Sequence, residues 1–277
     1  MSADFFPPLD DWEATHQALH AYSKVVGVVP RAHANFHPKW WHISLKVAPN
    51  GLVTENMSIP GGGIFNLRMD MRAHHVALTT SDGKVQTFSM TEGLSANALA
   101  ESLFGAVADL GLSADYAREK FESDDPHTYD PAAAERFFTA LVNVDRTLKQ
   151  HRVSLSGEMG PVQLWPHGFD IAFEWFGTRV VEYEENGEVQ QYPSQINFGF
   201  SPGESTNSFP YFYSNPWPFE TDQLLDKPLP APGAWFTENF QGSMLKYADL
   251  AGDPQAESKL LAYLKAVFDH AGPTLTA

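Results

Sequence analysis

The chain has no cysteine among its 277 residues. Disulfides, thiolate nucleophiles and cysteine-ligated metals are therefore excluded. Cations are scarce: 18 Lys and Arg face 34 Asp and Glu, for a formal net charge of -16. A nucleic-acid backbone is gripped by clusters of Lys and Arg, so nucleic acid is not an expected partner. An anionic membrane surface is disfavoured on the same ground. No apolar run is long enough to span a bilayer, and Met1 to Asp11 lacks the basic and apolar regions of a signal peptide. The expectation is a soluble, cytoplasmic protein kept apart from its neighbours by self-repulsion. A Gly-x-Ser-x-Gly elbow and a phosphate-binding glycine loop are missing too. Gly61-Gly62-Gly63 has neither the Lys nor the spacing of such a loop and reads as a turn. No Gly/Ser-rich linker divides the chain, so 1–277 is read as one compact α+β domain, which admits halves 1–112 and 130–277.

Aromatic residues, at 13%, are plentiful, and many fall in segments with strand patterning. Asp11-Trp12-Glu13-Ala14 opens a first helix that should end near Lys24 to Val26, with Gly27 and Pro30 as breakers. Strands are expected at 41–47, 52–57, 64–71, 76–80 and 85–90. Pro49-Asn50-Gly51 and Ser81-Asp82-Gly83 supply turn chemistry between them, and connectors this short imply antiparallel pairing. Ser95 caps a second helix that ends at Gly111. The stretch 113–130 is polar and acidic, a loop with a short helical piece. Asp130 and Pro131 then start a long helix to about Arg152. A second aromatic strand region covers 162–165, 169–176, 196–200 and 211–213, with a further strand in 235–240, before a final helix over 254–270. The expected class is α+β, mainly antiparallel sheets with helices packed on one side. The repeated order of helix, strands and helix admits a diverged internal duplication, although no residue-level repeat supports one.

Several segments carry a resemblance. They are Trp40-Trp41-His42 with Gly51-Leu52, and Phe65 to Gly83 including Asp70, His74 and Ser81-Asp82-Gly83. Tyr129-Asp130-Pro131, Arg152, Pro161-Val162, Phe169-Asp170, Gly177 and Arg179 follow. Gly199-Phe200, Pro202-Gly203, Phe212-Tyr213 and Pro216 complete the set. In this order they resemble a bacterial family of uncharacterised proteins, domain of unknown function 5996. The resemblance implies membership but carries no activity. This chain departs from the family's pattern at Gly157-Glu158, at Gly160-Pro161-Val162-Gln163, at Pro193-Ser194-Gln195 and at Ser201, where a Trp is usual. If a family site used those polar positions, it is altered here.

Candidate site residues come from three places. If residues 41–47 form a strand, Trp40, His42, Ser44 and Lys46 share a face and gather polar groups at an aromatic wall. On the long helix, Phe138, Leu141, Asp145, Leu148, Lys149 and Arg152 fall on one stripe at 100° per residue, so three charges continue the apolar face. Lys149 and Arg152 then either line an anion pocket or belong to a buried ion network with Asp145. Trp165, His167 and Asp170 would complete such a pocket. Tyr211, Tyr213 and Trp217, interleaved with Pro210, Ser214, Asn215 and Pro216, read as a loop-borne aromatic rim suited to a small molecule or a protein. Catalysis, where the pocket is catalytic at all, would fall to His42, Asp70, His74 or Asp170. Asp170 and Glu174 are about 13 Å apart on a strand, too far for a glycosidase pair. His33 and His37 have the spacing of a helical metal pair, but Pro38 argues against a helix there and no Glu accompanies them. No metal and no cofactor are expected. Two functions stand side by side: a pocket for a small anionic or hydroxyl-rich metabolite, enzymatic or not, and a non-catalytic interaction module using the aromatic rim.

Overall fold

Residues 4–185, 187–238 and 240–277 are described by a computed structural model of the chain. It opens with helix α1 (Glu13–His33). Six short strands follow: β1 (Lys46–Ala48), β2 (Gly51–Val53), β3 (Met57–Ser58), β4 (Ile64–Asp70), β5 (His75–Thr80) and β6 (Val85–Ser89). Helices α2 (Ala96–Ala108) and α3 (Pro131–Ser154) come next, then strands β7 (Glu158–Met159), β8 (Gln163–Trp165), β9 (Asp170–Glu185), β10 (Glu188–Ser201) and β11 (Tyr211–Trp217). A single-turn helix α4 (Thr221–Leu224), strands β12 (Ala234–Phe236) and β13 (Gly242–Lys246) and helix α5 (Ala256–Ala271) complete the order. The class is α+β, and the strand pairs in both sheets are antiparallel. No helix among the described residues is long and apolar enough to cross a membrane.

The chain forms two compact units. One holds Leu9–Leu141 with Gln163–Phe169, and the other holds the N-terminal residues through Pro8, Val142–Val162 and Asp170–Ala277. In the first unit the sheet order is β1-β2-β4-β5-β6, with β3 added on β4. Strand β4 alternates: Phe65, Leu67 and Met69 are buried while Asn66 and Arg68 are half-buried, the pattern of a sheet covered on one face. Helix α1 packs on β3 and β4, and α2 on β6. The turns behave as their residues require. Gly83 takes φ +89° in the β5–β6 hairpin, Ser95 accepts from the amide of Ala98 to cap α2, and Asp130 accepts from the amide of Ala132 to cap α3.

In the second unit the sheet runs β12-β13-β11-β10-β9-β7. Its strands are longer than sequence patterning suggested: β9 and β10 extend to 16 and 14 residues, and β11 runs on through Trp217. Ile171, Phe173 and Trp175 of β9, Ile196, Phe198 and Phe200 of β10 and Phe212 of β11 are buried on one face. His151 of α3 packs its ring on Phe198 at 4.9 Å, and Phe268 of α5 meets Trp175 at 5.1 Å.

Three local expectations are overturned. Helix α1 does not stop before Gly27; it continues through Gly27 and Pro30 to His33. Val25 through Pro30, more than one full turn, are buried, and that burial outweighs the intrinsic penalties of Gly and Pro. Gly27 serves close approach, since a Cβ there would lie 2.7 Å from Cγ of Pro166. Second, residues 41–47 are not one strand. Trp40 adopts φ +59°, Trp41–Ile43 form a 3₁₀ turn, and the strand begins only at Lys46. Side chains hold this turn: His42 Nδ1 accepts from the amide of His37, His37 Nδ1 from the amide of Lys39, and the Ser44 hydroxyl donates to the carbonyl of Trp41. Trp40, His42, Ser44 and Lys46 therefore do not share a strand face. Third, Tyr211, Tyr213 and Trp217 lie in β11, not on a loop.

Candidate functional site

Lys24, Gly27, Val28 and Arg31 fall at i, i+3, i+4 and i+7 on α1, and so form one stripe along the helix. That stripe is one wall of a cavity of about 450 Å³. Ile43 from the 3₁₀ turn, Pro166 and His167 from the segment after β8, and Glu119 and Lys120 from the 113–130 loop supply the rest. Each contributor lies within the first unit. Absence of a side chain at Gly27 lets Pro166 close on the helix. The Ser23 hydroxyl donates to the carbonyl of Pro166 at 3.3 Å, and the His20 ring contacts the carbonyl oxygen of His167 at 3.0 Å. The loop that carries Glu119 and Lys120 is anchored by Tyr116, whose ring stacks on Phe104 at 3.9 Å and whose hydroxyl meets His33 Nε2 at 2.9 Å.

The cavity is cationic. Lys24, Arg31 and Lys120 face it with His167, against one carboxylate, Glu119. Among the described residues none of the three cations forms an ion pair. Burial lowers the ammonium pKa of Lys24 below its ordinary value. His20 is pushed down to about 4, first by burial and then by the Lys24 charge. An unpaired, partly desolvated cation lacks what a carboxylate would give it, and a bound anion would supply it. The guanidinium of Arg31 also lies 4.8 Å from the ring centroid of Trp40. Trp40 in turn stacks on His42 at 5.6 Å. Burial lowers the pKa of His42, with smaller contributions from His37 and Arg31.

Most other residues singled out from the sequence have defined side-chain partners, while Trp217 is placed by its pairing with Gln195 in β10. Lys46 donates to Gln163 Oε1 at 2.6 Å and to the Ser44 hydroxyl at 2.9 Å. Asp70 accepts from the amides of Arg72 and Ala73 and from the Asn50 side chain, holding the β4–β5 turn. His74, at φ +54°, meets the Tyr129 hydroxyl at 3.0 Å and Glu135 at 3.5 Å. Trp165 lies 6.1 Å from His167, ring to ring. His33, His37 and His42 are committed to separate partners, and no group of three or more metal-capable side chains occurs among the described residues. In the second unit, Tyr213 donates to Asp170 and Tyr211 donates to Glu204 at 2.8 Å. Gly199 makes the first contact possible, because a Cβ there would sit 2.5 Å from Cζ of Tyr213.

The charged stripe of α3 is arranged as a network. Asp145 is buried and accepts from Lys149 at 2.7 Å; burial raises its pKa, and Lys149 partly offsets that. Arg152 donates from Nε to the carbonyl of Gly160 at 2.7 Å and from Nη2 to that of Met159 at 3.4 Å. These bonds tie the end of α3 to β7. Arg152→Ala is accordingly expected to lower stability by about 1–3 kcal/mol, the effect of stranding a part-buried acceptor. Urea unfolding at neutral pH reads this directly, and an unchanged midpoint would refute it.

Lys24, Arg31, Glu119 and Lys120 were not among the sequence candidates; of the pocket, only His167 was. The signal was present in the 24/27/28/31 spacing, but it is visible only once α1 is known to continue past Gly27. No curated protein and no solved structure matches this chain. The family of unknown function DUF5996 matches residues 6–276, nearly the whole chain. The chain belongs to that family.

Proposed function

We propose that the protein binds a small anionic metabolite in the cavity lined by Lys24, Arg31, Lys120 and His167. One observation carries this reading: in a chain of net charge -16, three cations that form no ion pair among the described residues line one cavity beside one carboxylate, Glu119. The volume, about 450 Å³, suits a metabolite rather than a macromolecule. Val28, Ile43 and Pro166 give the apolar part of the lining, so the ligand carries a carbon skeleton beside its charge. Arg31 offers a planar fork for a carboxylate or phosphate, and Lys24 and Lys120 act as point charges. This keeps the class of ligand expected from the sequence and places it at other residues than Lys149 and Arg152.

The test is a thermal-shift and calorimetric screen with inorganic phosphate, small phosphate monoesters and di- and tricarboxylates, on the wild type and on Arg31→Ala. The wild type should be stabilised by at least one anion, less so at high salt because screening weakens the attraction. Arg31 is exposed, and its guanidinium lies over the Trp40 ring, so its removal should change stability by about 1 kcal/mol or less. Affinity should drop roughly 10- to 100-fold, the worth of a charge-assisted hydrogen bond. A wild type indifferent to the whole panel, or an Arg31→Ala protein that responds as well as the wild type, would eliminate the anion site.

A further inference from the structure

Beside the cavity stands an aromatic patch that the anion site alone does not use. Phe36 is 67% exposed and Trp40 43% exposed. Their rings meet at 5.5 Å, and both also approach the His42 ring, at 5.4 and 5.6 Å. Trp40 holds φ +59°, a conformation that a bulky side chain rarely adopts. The turn enforces it, with the amide of Trp40 donating to His37 and its carbonyl accepting from Ile43. A strained backbone that keeps a large aromatic ring in water points to a use for that ring. Two residues join the patch to the cavity. Arg31 lines the cavity and lies over Trp40, and Ile43 lines the cavity from the same turn that presents Trp40 and His42.

We infer that the ligand is an anion bearing a planar aromatic ring: the charged group enters the cavity at Arg31, and the ring lies on the Phe36–Trp40 patch. The inference rests on the anion-site reading and adds the ring. Stacking on exposed aromatic side chains discriminates planar from non-planar ligands whatever the ring's substituents. Attachment through Arg31 sets the required geometry, with ring and charge separated by a short linker.

Matched probe pairs isolate the ring. Adenosine 5′-monophosphate and ribose 5-phosphate share a phosphate and differ by the base; indole-3-acetate and acetate share a carboxylate and differ by the indole. Calorimetric titration of the wild type should show the ring-bearing member of at least one pair binding about fivefold to a hundredfold tighter, the range that stacking supplies. The pair that shows it identifies the anionic group. Phe36→Ala, at an exposed side chain, should erase that preference and leave the ringless probe's affinity unchanged. Trp40→Gly should erase the preference as well; glycine relieves the positive φ, which offsets part of the stability lost with the ring's contacts to Arg31 and His42. Equal binding of both members in each pair, or an intact preference in both variants, would overturn the inference while the anion site stands. Failure of every probe, inorganic phosphate included, would remove both.

Discussion

Acidification from pH 7 to pH 5 should remove about 2 kcal/mol of stability through His151 alone. The ring is 2% exposed, packed against Phe173 and Phe198, and its Nε2 has no hydrogen-bond partner among the described residues. Burial pushes its pKa from 6.5 down to about 4; Asp269 opposes the shift and Lys265 adds to it. Above pH 6.5 the ring is uncharged in the folded and the unfolded chain alike. Between pH 6.5 and about 4 the unfolded chain takes up a proton that the folded chain refuses. The unfolded state then binds more protons, so stability falls as pH falls through that window. His20 in the other unit, also pushed to about 4, works in the same direction. Denaturant unfolding at pH 7 and pH 5, on the wild type and on His151→Leu, separates the contributions. The variant should lose about 2 kcal/mol less than the wild type over that interval. Equal losses in the two proteins would show that His151 does not carry the effect.

Gly27→Val should destabilise the first unit by about 1–3 kcal/mol and abolish any anion response. A Cβ at this position would lie 2.7 Å from Cγ and 2.8 Å from Cβ of Pro166. The proline ring is short and stiff and cannot swing aside as a long side chain would. Pro166 is also held in place by the bonds from Ser23 and His20 to its own segment. Helix and segment must move apart, and both are walls of the cavity. Gly105→Ala in α2 is the control, because nothing lies within 4 Å of the added Cβ. There the change should stabilise by about 0.4–1 kcal/mol by restricting the unfolded chain, and leave anion binding unaltered. Thermal melts with and without a binding anion read both variants. A Gly27→Val protein that melts and responds like the wild type would mean that Pro166 yields easily, and that the cavity does not depend on this contact.

Much of the fold is legible in local patterning. The alternation in 64–71, the Asp-Gly turn at 82–83, the Ser95 cap and the Asp130-Pro131 start of α3 each appear close to where the residues place them, because each is fixed by neighbours within a few positions. The same local rules fail where burial or side-chain bonding overrides them. Gly27 and Pro30 look like a helix stop, yet the helix continues because its face is buried and Pro166 needs the space at Gly27. Residues 41–47 alternate like a strand, yet His37, His42 and Ser44 bond to the backbone and make a turn.

The candidate site divides along the same line. The amino-acid sequence by itself determined family membership, the α+β class, the exclusion of cysteine chemistry and the expectation that any cationic cluster in so acidic a chain would be notable. It also put Trp40, His42 and His167 among the residues of interest. Which cations remain without an ion pair was decided only by tertiary structure. Lys149 and Arg152 look available on a helical stripe, but Asp145 and two backbone carbonyls occupy them. Lys24, Arg31 and Lys120 carry no motif and come from a helix and a distant loop, and folding gathers them around one cavity. Charge can be counted along a chain, whereas its neutralisation depends on which groups come within a few ångströms, and long-range packing sets that distance.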